Sequence, residues 1–352
     1  MHARVRGAAV VIVVSGLLTA GCGSAHRETA ETSAGKAASG SYPVSVTDCT
    51  DARTRFDGPP RKIVTSNAAG LELLLRLGVG DRVIGTGFPP GKGTMPGGLD
   101  AEAQKVRVLS RGAVPKEKLL GSGADLYLDT FGAMNMSGAG EAPSAEEYEA
   151  AGIKHIYLKS TACAATGKGA VPDLSAVEDD IISLGAVTGT RAKANELVAG
   201  MKKKVAAVRK ALDGTAPSAR PTYFFFDYDA GTQQPVAICN RQVANAVITL
   251  AGARNIFDCD GTTQRVGWED VISRNPDWIQ LGVRNKGSRV ANERAFTAAE
   301  EWLRANAATK GLKAVKEGHF LRIGSERTTI AGVENAETVE TIARTLYPEK
   351  IR

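Results

Sequence analysis

Histidine is scarce: His2, His26, His155 and His319 are the only four in 352 residues, and aromatics make up only 5%. Zinc capture by several imidazoles and histidine-based acid–base catalysis therefore start with few candidates. There is no Cys-x-x-Cys, which argues against thioredoxin-like redox work, and no Gly-x-Ser-x-Gly elbow to carry a nucleophilic serine. Gly87-Phe-Pro-Pro-Gly-Lys-Gly-Thr94 has the outline of a phosphate loop but not its substance. Thr86 stands where the first glycine belongs, and Gly93 stands where a hydroxyl must reach magnesium. Gly78-Val-Gly80 lacks the third glycine of a dinucleotide fingerprint. The formal charge of +6 is spread along the chain with no basic stripe, so a nucleic-acid partner is not expected. The apolar run at the start, Ala8 to Leu18, is too short to span a bilayer of about 30 Å. The expectation is a protein that is not an enzyme, with no catalytic residues, no metal ligands and no resident cofactor.

What is present suits a folded, exported body. Hydrophobic residues at 43% and charged residues at 23% supply a core, and the length suits two domains or one large one. Residues 1–21 read as a leader: Arg4 and Arg6, a short apolar stretch, then Ala20-Gly21 before Cys22. That arrangement resembles a bacterial lipoprotein signal, in which the cysteine is acylated and becomes the mature N-terminus. Ordinary cleavage and free secretion is the alternative. Gly23 to Ser41 has no Val, Ile, Leu, Met or aromatic residue and cannot offset its ordering entropy, so 22–41 reads as lipidated cysteine plus tether. Such a coil reaches roughly 25 Å. With Cys22 acylated, Cys49, Cys163, Cys239 and Cys259 remain, an even number with three possible connectivities. Cys49–Cys163 and Cys239–Cys259 are the favoured pairs. The second flanks one helix and a short return strand; the first pins the start of the body to the N-terminal half.

From residue 42 onward, short β-rich apolar runs alternate with helical patterns, the sign of parallel sheets covered by helices. Strands are expected at 62–66, 82–86, 125–130 and 155–159, and again at 222–227, 236–239, 278–282 and 320–324. Helices are expected at 71–77, 145–150, 242–251, 292–307 and 333–346. Between the halves, Leu197, Met201, Val205, Val208 and Leu212 form an apolar stripe on one helical face. Thr190 is a candidate cap, and Gly214 with Pro217 ends the pattern. A helix over 191–212 runs about 33 Å, long enough to join two lobes. A surface helix of the first lobe has the same periodicity.

Three stretches then converge on one family. Lys62-Ile-Val-Thr-Ser-Asn-Ala-Ala-Gly-Leu-Glu72, continuing to Gly85, resembles the opening of the substrate-binding proteins of iron-siderophore and cobalamin ABC importers. Val266-Gly-Trp-Glu269, leading to Asn275-Pro276-Asp277, is similar to the second-lobe motif. Ala314 to Ile323, followed by a helix ending at Leu346-Tyr-Pro348, is similar to the closing segment. The likeness covers roughly 61–348. It implies an α/β fold with two Rossmann-like lobes, 42–190 and 213–352, joined by one rigid helix at 191–212. It also implies a cleft that captures a ligand for an ABC importer permease and its ATPase, by a monomer held on the outer face of the membrane through a lipid anchor. Ferric siderophore is the favoured ligand, with iron arriving already chelated. Cobalamin, haem or another large cofactor-like ligand is the alternative, and an exported enzyme or adhesion module on the same scaffold ranks lower. Glu72 and Glu269 map onto the family's docking carboxylates. Ligands of parallel sheets gather at carboxyl ends of strands, which points to Asn67, Phe88, Phe131, Tyr228, Arg241, Arg284 and Arg327, with Trp268 reaching in from the lobe surface.

Overall fold

In the computed structural model, which describes residues 42–48, 51–131, 141–164 and 166–351, the chain opens with an antiparallel hairpin of β1 (Val44–Thr47) and β2 (Arg53–Phe56). The leader, Cys22, the tether and Cys49 lie outside the described residues. Next come β3 (Ile63–Thr65), β4 (Val83–Thr86), β5 (Leu126–Asp129) and β6 (Lys154–Tyr157), a parallel sheet in the order β4-β3-β5-β6. The second half contains β7 (Thr222–Asp227), β8 (Val236–Ile238), β9 (Arg254–Asn255), β10 (Thr263–Arg265), β11 (Trp278–Gly282) and β12 (Phe320–Arg322). Four of these form a second parallel sheet, β12-β11-β7-β9, while β8 and β10 pair antiparallel beside it. Every strand expected from the sequence is present to within two residues at either end. The β1–β2 hairpin, β9 and β10 were not legible, because short polar strands carry little alternation.

The two sheets share one plan. The first strand, β3 or β7, sits second from an edge, flanked by β4 or β9 and by β5 or β11, with β6 or β12 beyond. Each plan is locked by an aspartate just before the third strand. Asp125 accepts the backbone N–H groups of Arg61 and Lys62 at 2.8 and 3.0 Å. Asp277 accepts that of Thr222 at 2.8 Å. A charge-assisted bond to the neighbouring strand's start fixes the register of the pair.

Strand alternation divides the core. Val64 and Tyr127 face an outer cluster with Leu119, Tyr148 and Ile153. Phe224 and Phe226 face another with Trp268, Ile279 and Leu281. The opposite faces, Ile63, Leu126, Leu128, Tyr223 and Phe225, belong to a single cluster that runs through both lobes. The helix Arg191–Ala211 passes along this shared cluster, burying Ala194, Val198, Met201 and Val208. It packs against the helix Ser175–Thr188 on one side and the helix Glu334–Leu346 on the other. The stripe read from the sequence is thus the seam of two packings, and Ala194 and Val198 widen it. Thr190 does not cap this helix; its hydroxyl meets that of Thr188 at 2.8 Å. Cys239 and Cys259 form a disulfide. Cys163 is disulfide-bonded as well.

The crossing of Ser175–Thr188 over Arg191–Ala211 depends on Gly185, where an added Cβ would lie 2.3 Å from the Ala194 Cβ. Neither atom can swing away, because both sit on helical backbone. Gly185→Ala should therefore destabilise the body by about 1–3 kcal/mol, read as a lowered urea midpoint with unchanged slope. A midpoint equal to wild type would mean that the crossing relaxes freely.

Candidate functional site

A cleft of about 1130 Å³ opens between the carboxyl ends of the two sheets. This is where parallel-sheet loops converge, because the strands all point the same way and their following turns cluster at one edge. The N-terminal wall carries Asn67, Phe88, Arg111 and Phe131, and the C-terminal wall carries Arg284, Asn285, Arg289 and Arg327. Asn67 caps the helix Ala68–Arg76, its side-chain oxygen accepting Gly70 N–H at 3.0 Å. That bond fixes the amide orientation and leaves the buried Nδ2 without a hydrogen-bond partner. Phe88 and Phe131 meet edge to face with centroids 5.4 Å apart. Phe88 holds a φ of +31°, a conformation that L residues adopt only when their surroundings enforce it.

Five of the eight ligand residues expected from the sequence line this cleft: Asn67, Phe88, Phe131, Arg284 and Arg327. The other three do not. Trp268 is 9% exposed, wedged among Phe224, Phe226 and Trp302, and its indole N–H donates to the Thr232 carbonyl at 2.7 Å. The expected reach of Trp268 from the lobe surface into the cleft is therefore corrected: apolar contacts draw its ring into the core. Tyr228 stacks edge-on against Phe226 in that same cluster. Arg241 is consumed by Asp260 and the Gly167 carbonyl.

Glu72 is also corrected. It is 7% exposed, bound by Arg76 at 2.6 Å, and faces the cleft floor rather than the outer surface. The helix expected at 71–77 is present as Ala68–Arg76; which face of it is buried depends on packing. The sequence signal that finds a surface carboxylate in the first lobe is the shared plan of the sheets. Glu117 and Glu269 each occupy the second position of the helix leading into β5 or β11, and each precedes its locking aspartate by eight residues. Both are exposed.

Arg111, Asn285, Arg289, Glu326 and Glu334 were missed as cleft residues. Arg111 and Arg289 are exposed on opposite walls. The floor holds a chain of charges: Arg76 bridges Glu72 and Glu337, and Arg327 bridges Glu337 and Glu334. No periodicity marks a glutamate as buried, so none of this was legible. Burial drives the Glu72 carboxyl upward against the pull of Arg76. Burial, and then the Glu72 charge, push Glu334 up to about 7. Burial likewise raises Glu326, whose carboxylate accepts Asn285 N–H. Among the described residues no group of three or more His, Cys, Asp or Glu side chains is arranged to hold a metal.

The raised Glu334 pKa sets a pH dependence. The folded protein keeps this proton after the unfolded chain has lost it, so stability is highest below pH 4.5 as regards this group. It declines as pH rises toward 7. Glu334→Gln should flatten that decline by about 1–2 kcal/mol in urea unfolding compared at the two ends of the window. An identical decline in wild type and variant would remove Glu334 as its source.

Comparison with known proteins gives a consistent picture. A family model described as periplasmic binding protein matches residues 63–326. A Bacillus subtilis protein described as an uncharacterized ABC transporter substrate-binding lipoprotein, YvrC, is 22% identical over 97% of this chain and 96% of its own length. A cobalamin-binding protein from Halobacterium salinarum is 25% identical over 69% of this chain and 59% of its own length. Among solved structures, a periplasmic binding protein from Veillonella parvula superposes with a TM-score of 0.71 at 26% identity, covering 86% of this chain and 97% of that one. An ABC-type Fe3+-hydroxamate transport system from Saccharomonospora viridis gives 0.69 at 23% identity, covering 87% and 99%.

Proposed function

The chain belongs to the periplasmic binding protein family, and from that premise we propose that it is a lipid-anchored extracytoplasmic receptor that captures a ferric siderophore and hands it to an ABC importer permease. The observation that carries this reading is the cleft itself, about 1130 Å³ and walled by both lobes. That volume suits a ligand much larger than a sugar or an amino acid. Guanidinium groups from both walls match the carboxylate or hydroxamate oxygens of a chelate, and the Phe88–Phe131 pair covers its apolar arms. The iron is cargo wrapped by its chelator, so the receptor supplies hydrogen bonds and surface rather than metal ligands and performs no chemistry. The relative named for cobalamin binding favours a corrinoid as the second reading.

Handover is assigned to Glu117 and Glu269, one exposed carboxylate per lobe at matching positions. Paired charges of this kind supply orientation and association rate. Each also favours its own helix start through the helix dipole, so a test must separate docking from folding. Glu117→Ala/Glu269→Ala should leave chelate capture unchanged, measured by native mass spectrometry against loaded and iron-free chelates and aquocobalamin. Uptake of the captured ligand by cells carrying only this variant should fall by about tenfold or more. Normal uptake would defeat the docking assignment. Capture of aquocobalamin alone would replace the siderophore with the corrinoid.

A further inference from the structure

The glycine-rich segment that failed as a phosphate loop has another use. Residues 89–92, after β4, reach across to residues 285–289, after β11. The Asn285 side-chain N–H donates to the Pro89 carbonyl at 3.1 Å. Lys92 N–H donates to the Gly287 carbonyl at 2.9 Å, and Arg289 N–H donates back to the Lys92 carbonyl at 3.1 Å. Lys92 and Ser288 thereby form a parallel bridge between the lobes. The approach is close enough to require glycine: a Cβ on Gly91 would lie 2.4 Å from Asn285 Oδ1 and 2.8 Å from the Gly287 carbonyl carbon. Pro89, Pro90 and Asn285 also line the cleft.

Each strap is also braced within its own lobe. On one side, Gly93 N–H donates to Asp100, and the Thr94 hydroxyl donates to the Gly91 carbonyl. On the other, Asp229 accepts from Arg284 N–H and pairs with Lys286, Glu326 accepts Asn285 N–H, and Asn285 Oδ1 accepts Gly287 N–H. Two straps braced in this way and joined by three hydrogen bonds can part as units without unfolding either loop.

Resting on the reading of the cleft as the ligand site, we propose that these straps form a clasp between the cleft walls whose parting widens the path for ligand, with Gly91 and Asn285 setting the rate of exchange. Its opening is measurable without any ligand. In the full chain, Ala69→Cys places a reporter thiol on the cleft wall, and its reaction with a polymer-sized maleimide follows opening. Asn285→Ala and, separately, Gly91→Val should speed labelling roughly three- to tenfold, in line with the loss of one or two net hydrogen bonds. Hydrogen exchange over 89–94 and 285–290 should quicken in parallel while the rest of the body stays protected. Unchanged labelling in both variants, with the fold intact by circular dichroism, would overturn the clasp. Faster labelling supports it even if neither ferrioxamine B nor aquocobalamin binds, a result that would count against the cleft reading alone.

Discussion

The rest of the molecule depends on the burial of one helix against two others. Arg191–Ala211 lies between Ser175–Thr188 and Glu334–Leu346, and its apolar side closes a core that belongs to both lobes. A hinge made of loops costs little to bend, because it carries few contacts. Here, swinging the lobes apart would expose Val198, Met201 and Val208 together with their partners on both sides. Each such side chain is worth about 1.5–3 kcal/mol on burial. The lobes are therefore held at a nearly set distance, and the cleft between them is a preformed space whose walls shift little.

A preformed cleft changes what recognition must accomplish. The ligand is not required to drive a large closure, so its binding free energy is spent less on reorganisation. Small elements can then control access, which is the place the strap contacts occupy in this architecture. The charged floor fits the same picture. Arg76 on the first lobe's helix and Glu337 on the C-terminal helix join the lobes through an ion pair at 3.6 Å. Partly buried pairs of this type are weak as sources of stability but strict about geometry. They hold the floor in register beneath the Phe88–Phe131 pair and the exposed Arg111 and Arg289.

The matching plans of the two sheets explain why some positions repeat between the lobes and others do not. Glu117 and Glu269, and Asp125 and Asp277, repeat because they sit on the strand–helix framework that both lobes share. The cleft walls do not repeat: Phe88 and Phe131 on one side face Arg284 and Arg289 on the other. The framework repeats between the lobes because it is set by local strand and helix plan, whereas the cleft lining is set by the loops, which differ.

Local pattern was enough for much of this. The strands, the long amphipathic helix and the Cys239–Cys259 pair follow from alternation, period and spacing, which are properties of neighbouring residues. Asn67, Phe88 and Arg284 follow from their place just past a parallel strand, which brings the backbone to the cleft edge; Tyr228 follows one too, yet its ring packs against Phe226, because side-chain direction is set by packing. The failures share one cause. Whether Glu72 points outward or inward, whether Trp268 reaches the cleft or the core, and whether Glu334 is solvated all turn on which face of an element meets another element far away in the chain. The same holds for the Pro89–Asn285 contact, whose partners are separated by almost two hundred residues. Orientation across such distances is decided by packing, and only the assembled tertiary structure contains it.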